Sequence, residues 1–352
     1  MNLDNLSEIK ALDSKKMLES ISSLCGQVEQ IYAEVKSLKL SEKYKKIANI
    51  VFFGMGGSAL GAHCIKSLFN SEIDVPVEIV NGYNGPAYIN KDSLVIIISY
   101  SGNTEETLAA LKSARLKKTK IIVITSGGEL QKISKKLKIP ALIFDTKNNP
   151  CGSPRMGLGY TIFGPLFILK RLGLIKSSLP KINDISKIIN KHQKLNDVQN
   201  EQSLNPAKQF AQNLSRGSVW FVSSEHLSGN VHIAANQVNE NAKRFAGYFL
   251  IPELNHHLLE GLSFPKNELR TFVFIESKNF DKRILKRYQI TKSLLEKYNC
   301  QFITYTCTET KPIYEMIEIL VLSSYLSFYL AMIEGVDPTA IPAVDFLKAA
   351  LK

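Results

Sequence analysis

Cysteine is scarce in this 352-residue chain. The five present, Cys25, Cys64, Cys151, Cys300 and Cys307, are odd in number and include no close CxxC pair. That excludes a disulfide framework and a thiolate zinc site, and it fits a reducing cytoplasm. No other metal-ligand cluster stands out, so neither a metal nor a cofactor is expected. Acid is outnumbered: 32 Asp and Glu face 44 Lys and Arg, a formal net charge of +12. The lysines are scattered over many helices without a dense basic block interleaved with aromatics. Small anions are therefore expected as partners, and nucleic acid is not. Long apolar runs are also wanting. VIIIS and IEILVLSSYLSFYLAMI read as too short or too interrupted to cross a membrane, and MNLDNLSEIK lacks the basic-then-apolar pattern of a signal peptide.

What is present suits a globular chain of two domains: 45% hydrophobic and 22% charged residues. Met17, Ile21, Leu24, Val28, Ile31, Val35 and Leu38 step by fours and threes, which predicts an amphipathic helix over 15–38. Its stripe is expected to pack on the first domain, in an amino-terminal segment of residues 1–45. Apolar runs at 49–53, 77–80, 94–99, 121–125 and 141–144 then recur at roughly one βα unit apart. Strands apolar throughout are those of a parallel sheet buried on both faces. Residues 46–175 read as a doubly wound α/β domain.

A polar stretch, 176–206, reads as a helical linker, and the pattern restarts over 207–352. IVFFGMGGSALGAHCIKSLF and VWFVSSEHLSGNVHIAANQV share one layout: strand, small-residue turn, helix. LVIIISYSGNTEETLAALK and FVFIESKNFDKRILKRYQI share another. The fold class is thus α/β, two flavodoxin-like doubly wound domains in tandem. Only the first copy keeps a Ser/Gly/Thr set, so the second contributes something else.

Two stretches of the first copy carry chemistry. Gly54-Met55-Gly56-Gly57-Ser58-Ala59 joins a strand to a helix, where glycines admit a ligand close to the backbone and the helix N-terminus favours an anion. The same letters fit the dinucleotide pattern GxGxxA. That pattern wants an acid closing the second strand, and here the strand ends Val80-Asn81-Gly82. Ser99-Tyr100-Ser101-Gly102-Asn103-Thr104 follows the strand LVIII. Its three hydroxyls, with first-turn N–H groups, form a neutral cradle for a phosphate dianion. A plain helix cap at Thr104 would explain one hydroxyl and leave two.

Residues 54–61 and 99–107 together resemble the signature of sugar isomerase (SIS) domains. Pro154-Arg155-Met156-Gly157-Leu158-Gly159, Asn239-Glu240-Asn241-Ala242-Lys243, Pro252-Glu253-Leu254-Asn255-His256 and Val344-Asp345-Phe346-Leu347-Lys348 narrow the resemblance. With them nearly the whole chain resembles the bifunctional phosphoglucose/phosphomannose isomerases. One departure is His257-Leu258, where that family continues Asn-Glu; Thr339-Ala340-Ile341-Pro342 also falls where members differ. These bear on substrate preference.

The resemblance implies an aldose–ketose isomerisation of a phosphorylated hexose, which moves a proton between C2 and C1 through a cis-enediolate. It assigns the base to Glu240, ring opening to His256 and Lys348, and enediolate stabilisation to Arg155. His257, adjacent to His256, competes for the ring-opening role. Gly57, Ser58, Ser99, Ser101 and Thr104 would hold the phosphate. The family also implies a homodimer with a shared active site, His256 coming from the partner subunit. Without the resemblance each residue has an ordinary reading: Glu240 a solvated helix residue near Lys243, His256 a structural histidine, Lys348 a surface lysine, Arg155 an aid to phosphate binding. A non-catalytic SIS-domain sugar-phosphate sensor is the alternative function. It leaves Glu240, His256 and Lys348 unexplained, and residues 1–45 offer no helix-turn-helix. A glucosamine 6-phosphate synthase would need an amino-terminal cysteine nucleophile, and position 2 is asparagine.

Overall fold

The computed structural model describes residues 2–214, 216–265 and 269–351; the outermost domain limits set above, residues 1 and 352, fall outside them. Helices α1 (Leu6–Leu12), α2 (Met17–Ser22) and α3 (Leu24–Ser37) come first. The first sheet and its helices follow: β1 (Asn49–Phe53), α4 (Leu60–Phe69), β2 (Val77–Val80), β3 (Ser93–Ser99), α5 (Glu105–Leu116), β4 (Lys120–Thr125), α6 (Gly128–Leu137), β5 (Ala141–Ile143) and α7 (Leu158–Arg171). Next are α8 (Ile182–Asn196), α9 (Pro206–Asn213), β6 (Ser218–Ser223), α10 (Ser228–Ala242), β7 (Ala246–Leu250) and α11 (Leu254–His257). The chain closes with β8 (Arg270–Glu276), α12 (Lys282–Lys297), β9 (Gln301–Thr306), α13 (Pro312–Glu334) and α14 (Pro342–Ala350).

These elements form two compact units, one of residues 22–190 with 226–229, the other of 1–21, 191–225 and 230–352. In the first, five parallel strands run in the order β2-β1-β3-β4-β5. Val51, Phe53, Val95, Ile97 and Val123 of the sheet pack with Ala110, Leu111 and Leu130 of α5 and α6. Strands β1 and β3 are buried from end to end, as their unbroken apolar runs require. The order reverses between β1 and β3, so the loops leaving their carboxyl ends diverge and open a crevice.

The amphipathic stripe of 15–38 is divided. Its later part, Val28, Ile31 and Val35 of α3, is buried where α3 packs on α7 in the first unit. Its earlier part lies elsewhere: the chain breaks at Ser23, and residues 1–21 belong to the second unit. There Lys208 donates to Asp4 at 2.8 Å and Gln193 donates to the Ile21 carbonyl at 2.8 Å. Periodicity marks a buried face without saying what covers it.

The second unit has four parallel strands, β7-β6-β8-β9. Strand β7, AGYFL, lay outside the sequence-based assignment because a half-buried edge segment containing glycine lacks a clear period. Helix α13 corrects another expectation: by length and composition it could cross a membrane, with a mean hydropathy of 1.8 in its most apolar window. Yet 94% of that window is buried within the chain, and two acids of the helix are satisfied by neighbouring groups. Glu318 accepts from Tyr305, from Thr308 and from the Glu309 N–H, and Glu315 accepts from the Ser277 hydroxyl. This is the packing of a core helix.

Candidate active site

In the first unit the two sequence motifs meet at the crevice between β1 and β3. Beyond β1 the chain turns at Gly56, whose φ is +48°, and makes a short 3₁₀ turn, Gly56–Ser58, into α4. Ser58 is buried, and its Oγ accepts the Tyr100 N–H at 3.0 Å, so the two loops are bonded directly. Beyond β3, Ser99 Oγ lies 3.0 Å from Thr104 Oγ1 and accepts the Gly102 N–H at 3.1 Å. Ser101 is exposed, its Oγ accepting the Asn103 N–H at 3.3 Å.

Thr104 stands at the N-cap position of α5, but its side chain does not cap the helix. The N–H groups of Glu105 and Glu106 consequently have no acceptor among the described residues. A free first turn with its positive dipole end, ringed by hydroxyls, is what a dianion needs. The structure thus brings together Gly57, Ser58, Ser99, Ser101 and Thr104.

Gly57 has a further duty. A Cβ there would lie 2.8 Å from the Arg155 backbone nitrogen, so the glycine loop is pressed onto the segment that carries Arg155. That segment makes a 3₁₀ turn, Pro154–Met156, between β5 and α7, and Arg155 is only 2% exposed. Buried Gln27 of α3 braces it: its amide donates to the carbonyls of Asn148 at 2.9 Å and Met156 at 3.0 Å, and its oxygen accepts the Gly159 N–H at 2.9 Å.

The second unit repeats the layout with side-chain carboxylates at the corresponding turn and helix start. Glu225 takes the place of Gly56, in a matching 3₁₀ turn and with a matching φ of +44°. Its carboxylate accepts the Asp281 N–H at 3.2 Å, at the N-cap of α12. The chain's own carboxylates occupy the positions where the first copy leaves donors open. The second unit carries other groups instead. Glu240 is half-buried in the last turn of α10, flanked by Asn239, whose side chain donates to the Ala246 carbonyl and accepts the Ala246 N–H at the start of β7, and by fully buried Asn241, bonded to Ser327.

His256 and His257 sit on the one-turn helix α11. His257 Nε2 is 2.8 Å from Glu253 Oε2. The exposed His256 ring has no hydrogen-bond partner among the described residues. Lys348 projects from α14, which buries no residue against the chain and leaves Val344, Phe346 and Leu347 exposed, as is Leu351 just beyond it.

A family profile described as "SIS domain" matches residues 43–136, and one described as "Bacterial phospho-glucose isomerase C-terminal SIS domain" matches residues 203–351. A bifunctional phosphoglucose/phosphomannose isomerase of Caldicellulosiruptor bescii is 31% identical over 342 residues, 95% of this chain and 98% of that one. The chain belongs to the bifunctional phosphoglucose/phosphomannose isomerase family. A second such isomerase, from Aquifex aeolicus, is 29% identical over 92% of this chain and 99% of its own. A crystal structure of a hypothetical protein from Thermus thermophilus has a TM-score of 0.74 at 16% identity, covering 98% of this chain and 93% of that one, and so shares the fold.

Gln27, Tyr100 and Asn149 are not singled out by the sequence: Gln27 lies within 15–38 but outside the apolar stripe, and Tyr100 stands between the two serines of the loop motif. Only the turn-rich Asn148-Asn149-Pro150-Cys151-Gly152-Ser153-Pro154 hinted that the Arg155 segment needs holding.

Proposed function

We propose that this chain interconverts glucose 6-phosphate and mannose 6-phosphate with fructose 6-phosphate through a cis-enediolate. The observation that carries this reading is the hydroxyl-ringed, uncapped start of α5 in contact, through Ser58 and Gly57, with the segment bearing Arg155. A phosphosugar anchored by Ser58, Ser99, Ser101 and Thr104 gains binding energy at a group remote from the reacting carbons, and that energy fixes them for proton transfer. Arg155 then offers a permanent positive charge to the enediolate oxygens.

Glu240 takes the proton from C2 and returns it to C1. A glutamate suits this work because its conjugate acid can give the proton back within the same turnover. The planar C2 of the enediolate is common to both epimers, which is why one base serves both hexoses. His256 and Lys348 move the proton that opens the ring; the free ring of His256, beside a His257 engaged with Glu253, favours His256 for this task. The protein acts as a homodimer in the cytoplasm, each His256 serving the partner subunit's site. The unburied apolar side of α14 and the five free cysteines support that reading.

The test is fructose 6-phosphate formation from each C2 epimer in separate assays. Turnover of both is the expected result. Phosphosugar binding without turnover of either would instead make the chain a sensor.

A further inference from the structure

We propose that Tyr100 and Asn149 are positioning residues that hold Arg155 in register with the bound phosphate. The inference rests on the isomerase reading of the site and concerns two residues to which the reaction assigns no role.

Tyr100 lies in the middle of the phosphate loop but faces inward. Its N–H goes to Ser58 Oγ at 3.0 Å, and its carbonyl accepts both the N–H and the hydroxyl of Ser126, at 3.1 and 2.6 Å. Its ring lies edge-on to Phe144, which stacks on Tyr160. A Cβ at Gly157 would fall 2.4 Å from that ring, so the chain just after Arg155 lies flat on it.

The hydroxyl adds what the ring alone would not. The Asn149 amide donates to Tyr100 Oη at 2.8 Å and to the Ser153 carbonyl, two residues before Arg155, at 2.9 Å. The Cys151 thiol donates to the Asn149 side-chain oxygen at 3.3 Å. Asn149 is 2% exposed, so its amide spends its protons on these two acceptors, one in each loop. Burial pushes the Tyr100 phenol up to about 12, which keeps it a neutral hydroxyl at working pH.

The Arg155 backbone is therefore bracketed. Gly57 presses on it from the first loop, and Tyr100 with Asn149 ties it to the second. A phenylalanine at 100 would still pack on Gly157. The hydroxyl–amide bond is the element that transmits the position of the phosphate loop to the arginine, and an error of about an ångström at such a group costs rate rather than binding.

The experiment compares the wild-type chain with Tyr100→Phe and Asn149→Asp, each checked by thermal melting. Tyr100→Phe is near-isosteric, which keeps the test open if Asn149→Asp does not fold. We expect Tyr100→Phe to lower kcat about tenfold with KM shifted less than about twofold. In an Arg155→Gln background the same change should cost nothing more, because a residue acting through Arg155 has nothing left to position. Calorimetry supplies a readout independent of turnover. Binding of a phosphorylated sugar acid, whose carboxylate sits where the enediolate oxygens form, should weaken about tenfold in Tyr100→Phe, while binding of inorganic phosphate stays unchanged. Equal weakening of both ligands, no weakening of either, or fully additive losses in the double variant would overturn the proposal. A wild-type chain that turns over neither hexose phosphate would sink the isomerase reading, while the two binding measurements would still decide the positioning role.

Discussion

The hydroxyls of Ser99 and Thr104 stand 3.0 Å apart, one closing β3 and the other opening α5. Ser99 also accepts the Gly102 N–H, so its own proton is available to Thr104 or to an incoming acceptor. The pair satisfies itself in the free chain and can turn both protons outward to an anion. An anion held there would exchange one neutral bond for two charge-assisted ones.

Thr104→Ala should therefore raise KM for glucose 6-phosphate by about tenfold or more, the worth of a hydrogen bond to a charged group. Thr104→Ser should restore most of the loss by returning the hydroxyl. Affinity for unphosphorylated hexose should not change. If the alanine variant weakens both sugars alike, the loop does not read the phosphate.

Gly102 is the mechanical centre of the same loop. Its φ is +71°, and a Cβ would fall 1.9 Å from the Gly127 carbonyl oxygen. Gly102→Ala combines left-handed strain with a backbone clash and should cost about 3 kcal/mol in chemical denaturation. Gly82→Ala is the control, since a Cβ there meets nothing within 4 Å; it should stay within about 0.5 kcal/mol of the wild type. Similar losses at both positions would mean that the close approach to Gly127 does not govern the loop.

These cases mark what sequence could and could not supply. Strands β1, β3 and β4 were legible because burial on both faces leaves an unbroken apolar run, and the hydroxyls and glycines after β1 and β3 marked the loops that carry chemistry; the crevice itself comes from the reversal of strand order, which no local pattern reports. The reason for Gly57 was only half legible: a small residue at a turn suggests ligand approach, whereas its contact with Arg155 spans almost a hundred residues. The Tyr100–Asn149 bond is of the same long-range kind. The fate of residues 1–21 was not legible, because an amphipathic stripe reports that a face is covered and is silent on by what.

Glu240→Gln keeps the shape of the side chain and removes the base. Turnover of both epimers should fall about a thousandfold, with phosphosugar affinity retained. Exchange of the C2 proton with solvent should be lost in parallel. A variant that still exchanges this proton at the wild-type rate assigns the base elsewhere.

The two adjacent histidines should separate cleanly. His256→Ala is expected to lower kcat by about a hundredfold, because general acid–base help with ring opening is lost. His257→Ala removes an exposed pairing with Glu253, worth about 1 kcal/mol of stability at most, and should leave kcat within a few-fold. The reverse pattern would transfer the ring-opening role to His257.

Subunit exchange addresses the assembly. Helix α14 carries Lys348 together with Phe346 and Leu347, with Leu351 just after it; the three apolar residues are 76%, 57% and 71% exposed, and no residue of the helix is buried against its own chain. Apolar side chains left open beside a residue assigned to the reaction are the condition a second copy would relieve. If Glu240 of one chain works with the partner subunit's His256, a Glu240→Gln chain and a His256→Ala chain are each inactive alone but complementary together. In a mixed dimer one site carries both defects and the other carries neither. Such a dimer should recover about half the activity of the wild type, and only after subunits have exchanged, since exchange is what builds the intact site. Exchange is followed independently with chains carrying different fluorophores, so activity and mixing are measured in the same sample. Recovery that tracks mixing supports the shared site. Verified mixing with no recovery would mean that each chain completes its own site, and the exposed side of α14 would then need a different partner.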